Sequence, residues 1–405
     1  MGSILFTLDD SNQQTSHSQE EAEETIARLI PAQRPRLLFF RDPADMSLKE
    51  HGIDLLAPKM DLDGLEAFPH TIDLETHYFL NSKGALLVSG LPTPQGELIK
   101  LGSVCPDART CCVTCSSNVD SLSVLPSCTG SRGQWVSSQI SYITSRISAE
   151  PLPFVAKYQQ SYGGAGTFVV SSQKDRVESI NKLSTHHLPK LLSQVTPANA
   201  HLQPATLLLT EVVDPIGDYA LSFFVTQSGK SVFMGCTEQR FDSSNAWVGS
   251  KITYTAQDTL RGKFEEIFCD IGAWLHRHNY YGPVGADILE TAPNDVEGKS
   301  ANLHIVDLNV RTSAPLALAL LRGHFSKRRG LHEASSFSMT LKMGRKEFIK
   351  RLSEAFEQGR VVITAWYEDI ASGLSYATLV VGAEDAKRLQ KQVETVQLYG
   401  TEVSY

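Results

Sequence analysis

Apolar residues recur at helical spacing in two long stretches of the chain, residues 173 to 194 and residues 257 to 279. In the second stretch they form one stripe, consisting of Leu260, Phe264, Ile267, Phe268, Ile271 and Leu275. Apolar side chains at intervals of three and four positions bury one face of a helix against a core. The pattern therefore predicts two helices, and the stripe is interpreted as core packing.

Short apolar runs bounded by turn residues predict strands near the start of the chain. Residues 36 to 40 and 53 to 56 are two such runs. Between these runs and the centre of the chain, residues 77 to 90 are predicted to form a helix that ends at Gly90, because Pro92 lies just beyond it. After Arg322 the pattern predicts an α/β closing element, with helix 345–358, strands 361–367 and 375–381, and helix 383–395.

Candidate chemistry is concentrated in residues 303 to 314. In a strand, Asp307, Asn309 and Arg311 leave the same face, while Ile305 and Leu308 help fix the strand in a core. A carboxylate and an amide oxygen suit a hard cation such as Mg²⁺, and a guanidinium suits phosphate or carboxylate. The alternative interpretation is an edge strand that shows polar residues to water.

A hairpin with a glycine-rich turn is predicted upstream. Two apolar runs, Phe154 to Ala156 and Thr167 to Val170, flank a polar segment. The glycines of this segment are Gly163, Gly164 and Gly166. Such glycines let backbone amides approach phosphate, and Lys157 can place its ammonium against nucleotide phosphates. An ordinary hairpin is the alternative, and the Walker and dinucleotide-binding patterns are both absent.

Taken in order, these segments resemble the ATP-grasp superfamily, the fold of many carboxylate-amine ligases, over residues 77 to 325. The resemblance implies an α/β fold (α+β in the lobes) with a small Rossmann-like N-terminal domain before the ATP-grasp module. The implied segments are a tail at 1–30, the Rossmann-like domain and lead-in helix at 31–100, a Cys-rich connector at 101–150, nucleotide-binding lobes at 151–330 and a closing element at 331–405.

The resemblance also implies roles for individual residues. Glu211, Val212 and Val213 would line the adenine pocket, and Asp218 would accept the ribose hydroxyls. Lys157 and the glycine loop would contact the phosphates. The implied metal ligands are Asp287, Asp307 and Asn309, and Arg311 would contact a reacting acyl phosphate. The implied cofactors are ATP and Mg²⁺, with Mn²⁺ as a substitute.

Two positions depart from the family pattern. Phe79 stands where a second phosphate-binding lysine is usual, and Lys83 is the nearest substitute. Asp307 stands where glutamate is commoner, and its shorter side chain makes it harder to bridge two metal ions. Nucleotide binding is compatible with both changes.

The reaction implied is ATP-dependent joining of a small, amino-acid-like carboxylate to an amine through an acyl phosphate, with release of ADP and phosphate. Two alternatives stay open: a nucleotide-binding or regulatory protein of the same fold that does not ligate, and a zinc-containing interaction module. The identity of the acid and the amine cannot be read from the sequence, because acceptor pockets are built from variable loops.

The composition of the 405-residue chain limits the classes of partner that we expect. Its net charge of −8 does not favour binding to nucleic acid or to an anionic membrane. No apolar run approaches the ~20 residues needed to cross a bilayer, and no signal-peptide pattern opens the chain. We expect a cytoplasmic protein that acts on small molecules, with homodimer formation left open.

Five of the seven cysteines lie close together in the sequence: Cys105, Cys111, Cys112, Cys115 and Cys128. Structural zinc at Cys111, Cys112, Cys115 and Cys128 is one hypothesis, because Cys112 and Cys115 have the spacing of a ligand pair. Free cysteines in a loop are the alternative. A Cys-rich stretch before Pro153-Phe-Val-Ala-Lys157 also resembles ATP-grasp proteins of fungal secondary metabolism.

Four histidines and one loop receive no chemical role. His186 and His187 are interpreted as helix surface, and His276 and His278 as the end of the long helix. Residues 247 to 250, Trp-Val-Gly-Ser, are predicted to form a structured loop, although ATP-grasp proteins often contact substrate at this point.

Overall fold

The computed structural model describes residues 37–38, 55–58, 70–107, 128–160, 166–241, 247–292, 302–369 and 371–401. The chain divides into two compact units. Unit 1 holds the described residues up to His77, Gly217–Glu290 and those from Leu308 onward, and unit 2 holds those of Tyr78–Ile216 and Thr291–Asp307. The five segments predicted from the sequence stay a prediction.

The strands within the described residues are, in chain order, β1 (Leu37–Leu38), β2 (Leu55–Leu56), β3 (Gly96–Ile99), β4 (Phe154–Tyr158), β5 (Thr167–Val170), β6 (Leu207–Glu211), β7 (Gly217–Val225), β8 (Ser231–Phe241), β9 (Trp247–Thr253), β10 (Gly282–Thr291), β11 (Asn302–Asn309), β12 (Glu333–Leu341), β13 (Val361–Asp369) and β14 (Leu374–Ala383).

The α-helices within the same residues are α1 (Leu74–Leu80), α2 (Lys83–Val88), α3 (Ser131–Ala149), α4 (Gln173–Lys182), α5 (Leu188–Gln194), α6 (Gln257–Arg277), α7 (Leu316–Leu320), α8 (Arg345–Arg351), α9 (Ser353–Glu357) and α10 (Ala386–Gln397). A π-helical turn, Leu183–His187, joins α4 to α5. None of the helices in the described part of the chain is long and apolar enough to span a membrane.

Unit 2 is built on a four-stranded antiparallel sheet with the order β3-β6-β4-β5. Phe154 of β4 pairs with Val170 of β5, so the predicted hairpin is confirmed. Phe154, Ala156 and Tyr158 are buried in a core with residues of α3 and α5. Lys157 alternates with them and therefore leaves the opposite face of the sheet.

The strands of unit 1 form a sheet with the order β10-β7-β8-β9-β12-β14-β13, and the last residues of β11, Leu308 and Asn309, extend it beside β10. Helix α6 packs on this sheet through the predicted stripe, since Phe264 contacts the ring of Tyr219 and Phe268 contacts that of Phe223. The predicted long helix is thus confirmed. A second core lies between β12–β14 and helices α8–α10, and includes Phe348 and Phe356.

Two predictions of local structure are wrong. Residues 77 to 90 form two short helices, because the chain breaks after Leu80 and Ser82 caps a new helix by accepting a hydrogen bond from the Ala85 amide. Trp247 to Ser250 belong to strand β9, because Trp247 pairs with Phe241 of β8 and Ser250 pairs with Ser336 of β12. Near the start of the chain, the predicted strands are confirmed as the parallel pair β1 and β2.

Candidate functional site

The Lys157 hairpin closes on a glycine that no other residue could replace without rearrangement. Gly166 has φ +86°, and a Cβ there would lie 2.1 Å from Cδ2 of Tyr158. Its carbonyl accepts a hydrogen bond of 3.0 Å from the Tyr158 amide. The turn is therefore fixed where the glycine-rich segment rejoins β5. Gly163 and Gly164 lie outside the described residues.

Lys157 directs its ammonium at strand β11. Its Nζ donates a hydrogen bond of 3.1 Å to the carbonyl of Val306, the residue before Asp307. Both residues belong to unit 2. The structure thus brings the predicted phosphate lysine to the backbone beside a predicted metal ligand.

Lys83, the nearest substitute for the usual second lysine, is anchored to the same hairpin. Its backbone amide donates to the carbonyl of Gln159 at 2.9 Å, and the Gly84 amide donates to the Gln159 side chain at 3.1 Å. Gln159 directly follows β4, the strand that carries Lys157. The start of helix α2 is therefore held against the end of β4.

The Lys83 ammonium forms an ion pair with the Asp307 carboxylate. The Lys83 side chain is 5% exposed and that of Asp307 is 25% exposed. Lys157 at the adjacent Val306 carbonyl brings a second ammonium group to this part of β11. Ammonium groups at two neighbouring residues of a strand are suited to contact an anion such as phosphate.

In unit 1, Asn309 and Arg311 follow at the end of β11. Arg311 Nη2 donates to Asn309 Oδ1 at 2.5 Å, and Arg311 Nη1 donates to the Thr312 carbonyl at 3.3 Å. The two side chains lie together across a tight turn, in which the Arg311 amide donates to the Asn309 carbonyl at 2.8 Å, so Arg311 lies beyond the strand on whose face it was predicted. A small cavity beside Arg311 is lined by Tyr281 and Thr312, among others.

Asp287 shares a sheet face with Asn309. A Cβ built at Gly285 would lie 3.3 Å from the Asn309 Cβ, which places positions 285 and 309 side by side on adjacent strands. Asp287 follows two residues later on β10 and so leaves the same face as position 285. The oxygen donors of Asp287 and Asn309 are of the type that a hard cation accepts.

A buried histidine fixes the backbone between Asn309 and Arg311. His77 Nε2 lies 3.0 Å from the carbonyl of Val310, to which it can only donate. Burial lowers the pKa of His77 to about 4, so the ring is neutral at pH 7. A neutral ring with its proton on Nε2 holds this turn without adding charge beside Arg311.

Of the predicted adenine and ribose contacts, Glu211, Val212 and Val213 end β6 and begin the following turn in unit 2. The Glu211 carboxylate accepts a hydrogen bond of 2.9 Å from the Gln95 amide, which leaves the Glu211 side chain facing solvent. Asp218 begins β7 in unit 1. No described group donates a hydrogen bond to its carboxylate, and burial raises its pKa to about 6. A half-buried carboxylate of this kind is available to accept hydroxyl groups.

Another lysine–carboxylate pair lies in unit 1 and joins helix α6 to strand β10. Lys263 Nζ lies 2.6 Å from Glu290 Oε2, and the Tyr219 hydroxyl donates to the same oxygen at 3.2 Å. The ammonium also lies 4.7 Å from the centre of the Tyr219 ring. This pair was not anticipated from the sequence.

The described cysteines of the Cys-rich segment are buried rather than grouped. Cys105 accepts a hydrogen bond of 2.8 Å from the buried Arg132, and Cys128 packs in the core of unit 2. Cys111, Cys112 and Cys115 lie outside the described residues. Within the described residues, no three His, Cys, Asp or Glu side chains are grouped to hold a metal ion. The zinc site stays a prediction.

The role of Lys83 could have been inferred only partly from the sequence. Ser82 is a favoured N-cap residue, and a helix starting at Lys83 would have separated it from the preceding helix. The contact with Asp307 has no sequence signal, because 224 residues separate the partners.

No protein-family model matches the chain, and no curated protein matches its sequence. Solved structures do match. An ADP complex of N5-carboxyaminoimidazole ribonucleotide synthetase has a TM-score of 0.51 at 12% identity, covering 89% of this chain and 85% of that one. N5-carboxyaminoimidazole synthase from Aspergillus clavatus, in complex with ADP and 5-aminoimidazole ribonucleotide, has a TM-score of 0.50 at 11% identity, covering 95% and 96%. Together with the sheets and the order of their strands, this similarity establishes that the chain has the ATP-grasp fold.

Proposed function

We propose that this protein is an ATP-dependent ligase that activates a small, amino-acid-like carboxylate as an acyl phosphate and joins it to an amine. ADP and phosphate would be the other products. The proposal rests on two lysine ammonium groups at strand β11: Lys157 contacts the Val306 carbonyl, and Lys83 contacts the Asp307 carboxylate. The ADP in both similar structures supports a nucleotide as the ligand.

Each half of the nucleotide has candidate partners. Lys157 and Lys83 of unit 2 would bind phosphate oxygens, because an ammonium group donates charge-assisted hydrogen bonds to phosphate. Glu211, Val212 and Val213 are proposed for the adenine. Asp218 of unit 1 would accept the ribose hydroxyls, which would give its isolated carboxylate hydrogen-bond donors.

Asp287, Asn309 and Asp307 are proposed as metal ligands. Their oxygens fit Mg²⁺ or Mn²⁺ by type, and they are few enough that phosphate and water would complete the coordination. When bound, the ion neutralises phosphate charge. Arg311 is proposed to hold the oxyanion that forms when the amine attacks the acyl phosphate, because its guanidinium is held at a fixed distance from Asn309.

The attack of a carboxylate on the terminal phosphate requires no nucleophilic side chain. The carboxylate oxygen forms a bond to the γ-phosphorus as the bond to ADP breaks, and the amine then displaces phosphate from the acyl carbon. We propose a place for this reaction in secondary-metabolite biosynthesis, which rests on the resemblance of the Cys-rich stretch before Lys157.

A coupled assay for ADP over a panel of amino acids and amines tests the proposal. Release of ADP that depends on both an acid and an amine is the expected result. Pyrophosphate in place of phosphate would overturn the acyl-phosphate route, since that product requires attack at the α-phosphate.

A nucleotide-binding protein that does not ligate is the second candidate. The specific observation in its favour is that Lys83 already neutralises Asp307. ADP binding without turnover over the whole panel would favour this candidate.

A further inference from the structure

The ion pair between Lys83 and Asp307 places an ammonium where a metal ion is proposed to bind. The Lys83 side chain is almost completely buried. A buried ammonium is costly unless a carboxylate compensates it. Asp307 provides that compensation, so this carboxylate is committed to a protein cation.

We propose that Lys83 is a resident cation that keeps divalent metal ions away from Asp307 until a nucleotide binds. The inference rests on the proposed nucleotide-binding function. Lys83 is thereby assigned as a positioning residue. The protein would bind a divalent ion only together with nucleotide phosphates, and not as a free ion.

The charges near Asp307 oppose the binding of a free divalent ion. An ammonium and a divalent cation repel each other strongly at neighbouring positions, because the interaction of charges a few ångströms apart is weakly screened at a partly buried site. Lys157 adds another positive charge at the adjacent Val306 carbonyl. A free ion approaching Asp307 therefore meets two ammonium groups.

A metal ion at Asp307 also needs further oxygen ligands. Asn309 Oδ1, the other proposed ligand of β11, already accepts a hydrogen bond from Arg311 at 2.5 Å. Within the described residues there is also no group of three potential metal-binding side chains. The protein alone thus offers too few uncommitted oxygens, whereas nucleotide phosphates would add several.

Exchange of partners requires that the Lys83 side chain can move. The backbone at Lys83 is fixed, since Ser82 caps the helix and Gln159 accepts from the Lys83 amide. The flexible four-carbon side chain can still change partner. Phosphate oxygens would offer the ammonium a new anionic partner and so release Asp307 to the arriving metal ion.

Manganese binding, followed by electron paramagnetic resonance of free Mn²⁺, tests the inference without an activity assay. In the absence of nucleotide, the wild-type protein should bind Mn²⁺ only weakly. Lys83→Met, which keeps the length of the side chain but removes its charge, should bind Mn²⁺ at least about tenfold more tightly. The double variant Lys83→Met/Asp307→Asn should lose this gain.

Lys263→Met is the matched control, because it removes another partly buried lysine that is paired with a carboxylate. It should leave the weak Mn²⁺ binding of the wild type unchanged. An equal gain in Lys263→Met would overturn the inference, since any broken ion pair would then create a metal site. Lys83→Met without a gain would overturn it as well.

A measurement on the wild-type protein covers the case in which Lys83→Met does not fold. Adding ADP should tighten Mn²⁺ binding beyond the affinity of ADP itself for Mn²⁺, and Asp307→Asn should reduce that effect. Tight, Asp307-dependent binding of Mn²⁺ without ADP would overturn the role of Lys83. Failure of the wild-type protein to bind ADP would instead overturn the proposed function, so the two failures are distinguishable.

Discussion

Two lysine–carboxylate pairs of this protein differ in what surrounds them. In unit 1, Glu290 receives Lys263 and the Tyr219 hydroxyl, and the Tyr219 ring lies under the ammonium. In unit 2, Asp307 receives Lys83, remains a quarter exposed, and has the Lys157 ammonium at the neighbouring carbonyl. In the first pair two donors converge on one oxygen of a nearly buried carboxylate, whereas in the second pair the carboxylate is a quarter exposed.

The difference separates a structural pair from a candidate binding site. The Glu290 carboxylate is only 11% exposed, and its pairing with protein groups stabilises the fold only modestly. A carboxylate that is partly exposed beside two ammonium groups can exchange partners when an anion or a metal ion arrives. The following variants test this distinction, beginning with the largest expected effect.

Lys157→Ala should abolish turnover and weaken Mg-ATP binding by about a hundredfold, because it removes a charged donor to phosphate. The midpoint of thermal unfolding without ligand should hardly change. Calorimetric titration and a melting curve give the two values. Lys174→Ala, at an exposed lysine of α4, is the control and should alter neither. A large loss of intrinsic stability with unchanged nucleotide affinity would make Lys157 a structural residue.

Asp307→Asn and Asn309→Ala should each reduce turnover strongly, since losing a metal ligand undoes charge stabilisation of several kcal/mol in the transition state. Steady-state rates over a range of Mg²⁺ concentrations measure the effect. Asp258→Asn, at a side chain that is 90% exposed, serves as the control. Full activity in both variants of β11 would contradict the proposed metal site.

Lys263→Met should lower the free energy of unfolding by about 1 kcal/mol, because Glu290 keeps only the tyrosine hydroxyl and the lysine is partly exposed. Nucleotide affinity should be unaffected. Urea denaturation gives the free energy, and Lys263→Met/Glu290→Gln should recover part of it. A loss of nucleotide binding in Lys263→Met would contradict the distinction between a structural pair at Glu290 and a binding-site pair at Asp307.

Asp218 should give the smallest effect, and one that depends on pH. Its folded pKa, raised to about 6 by burial, exceeds the unfolded value, so its ionisation destabilises the fold as pH rises from about 4 to about 6. Asp218→Asn should therefore be more stable than wild type at pH 7, with a difference that shrinks as pH falls from about 6 to about 4 and is absent below about pH 4. Nucleotide affinity of the wild type should fall as pH drops through 6. Stability that rises with pH over this range because of Asp218 would contradict the assignment.

Local features of the fold followed from the sequence. The stripe on residues 257 to 279 and the hairpin around Lys157 depend on periodicity and turn residues, which are properties of neighbouring positions. These features need no knowledge of distant contacts.

What only the tertiary structure decided involves distant partners. Trp247–Thr253 is a strand because β8 and β12 pair with it, and its local sequence does not require that form. Lys83 reaches Asp307 because Gln159 holds the start of α2 against the lysine hairpin. The pKa of Asp218 rises because surrounding residues bury it without supplying a donor. The sequence thus determined which side chains share a face, and packing decided which charges meet, because the energy of a charge depends on its surroundings in space.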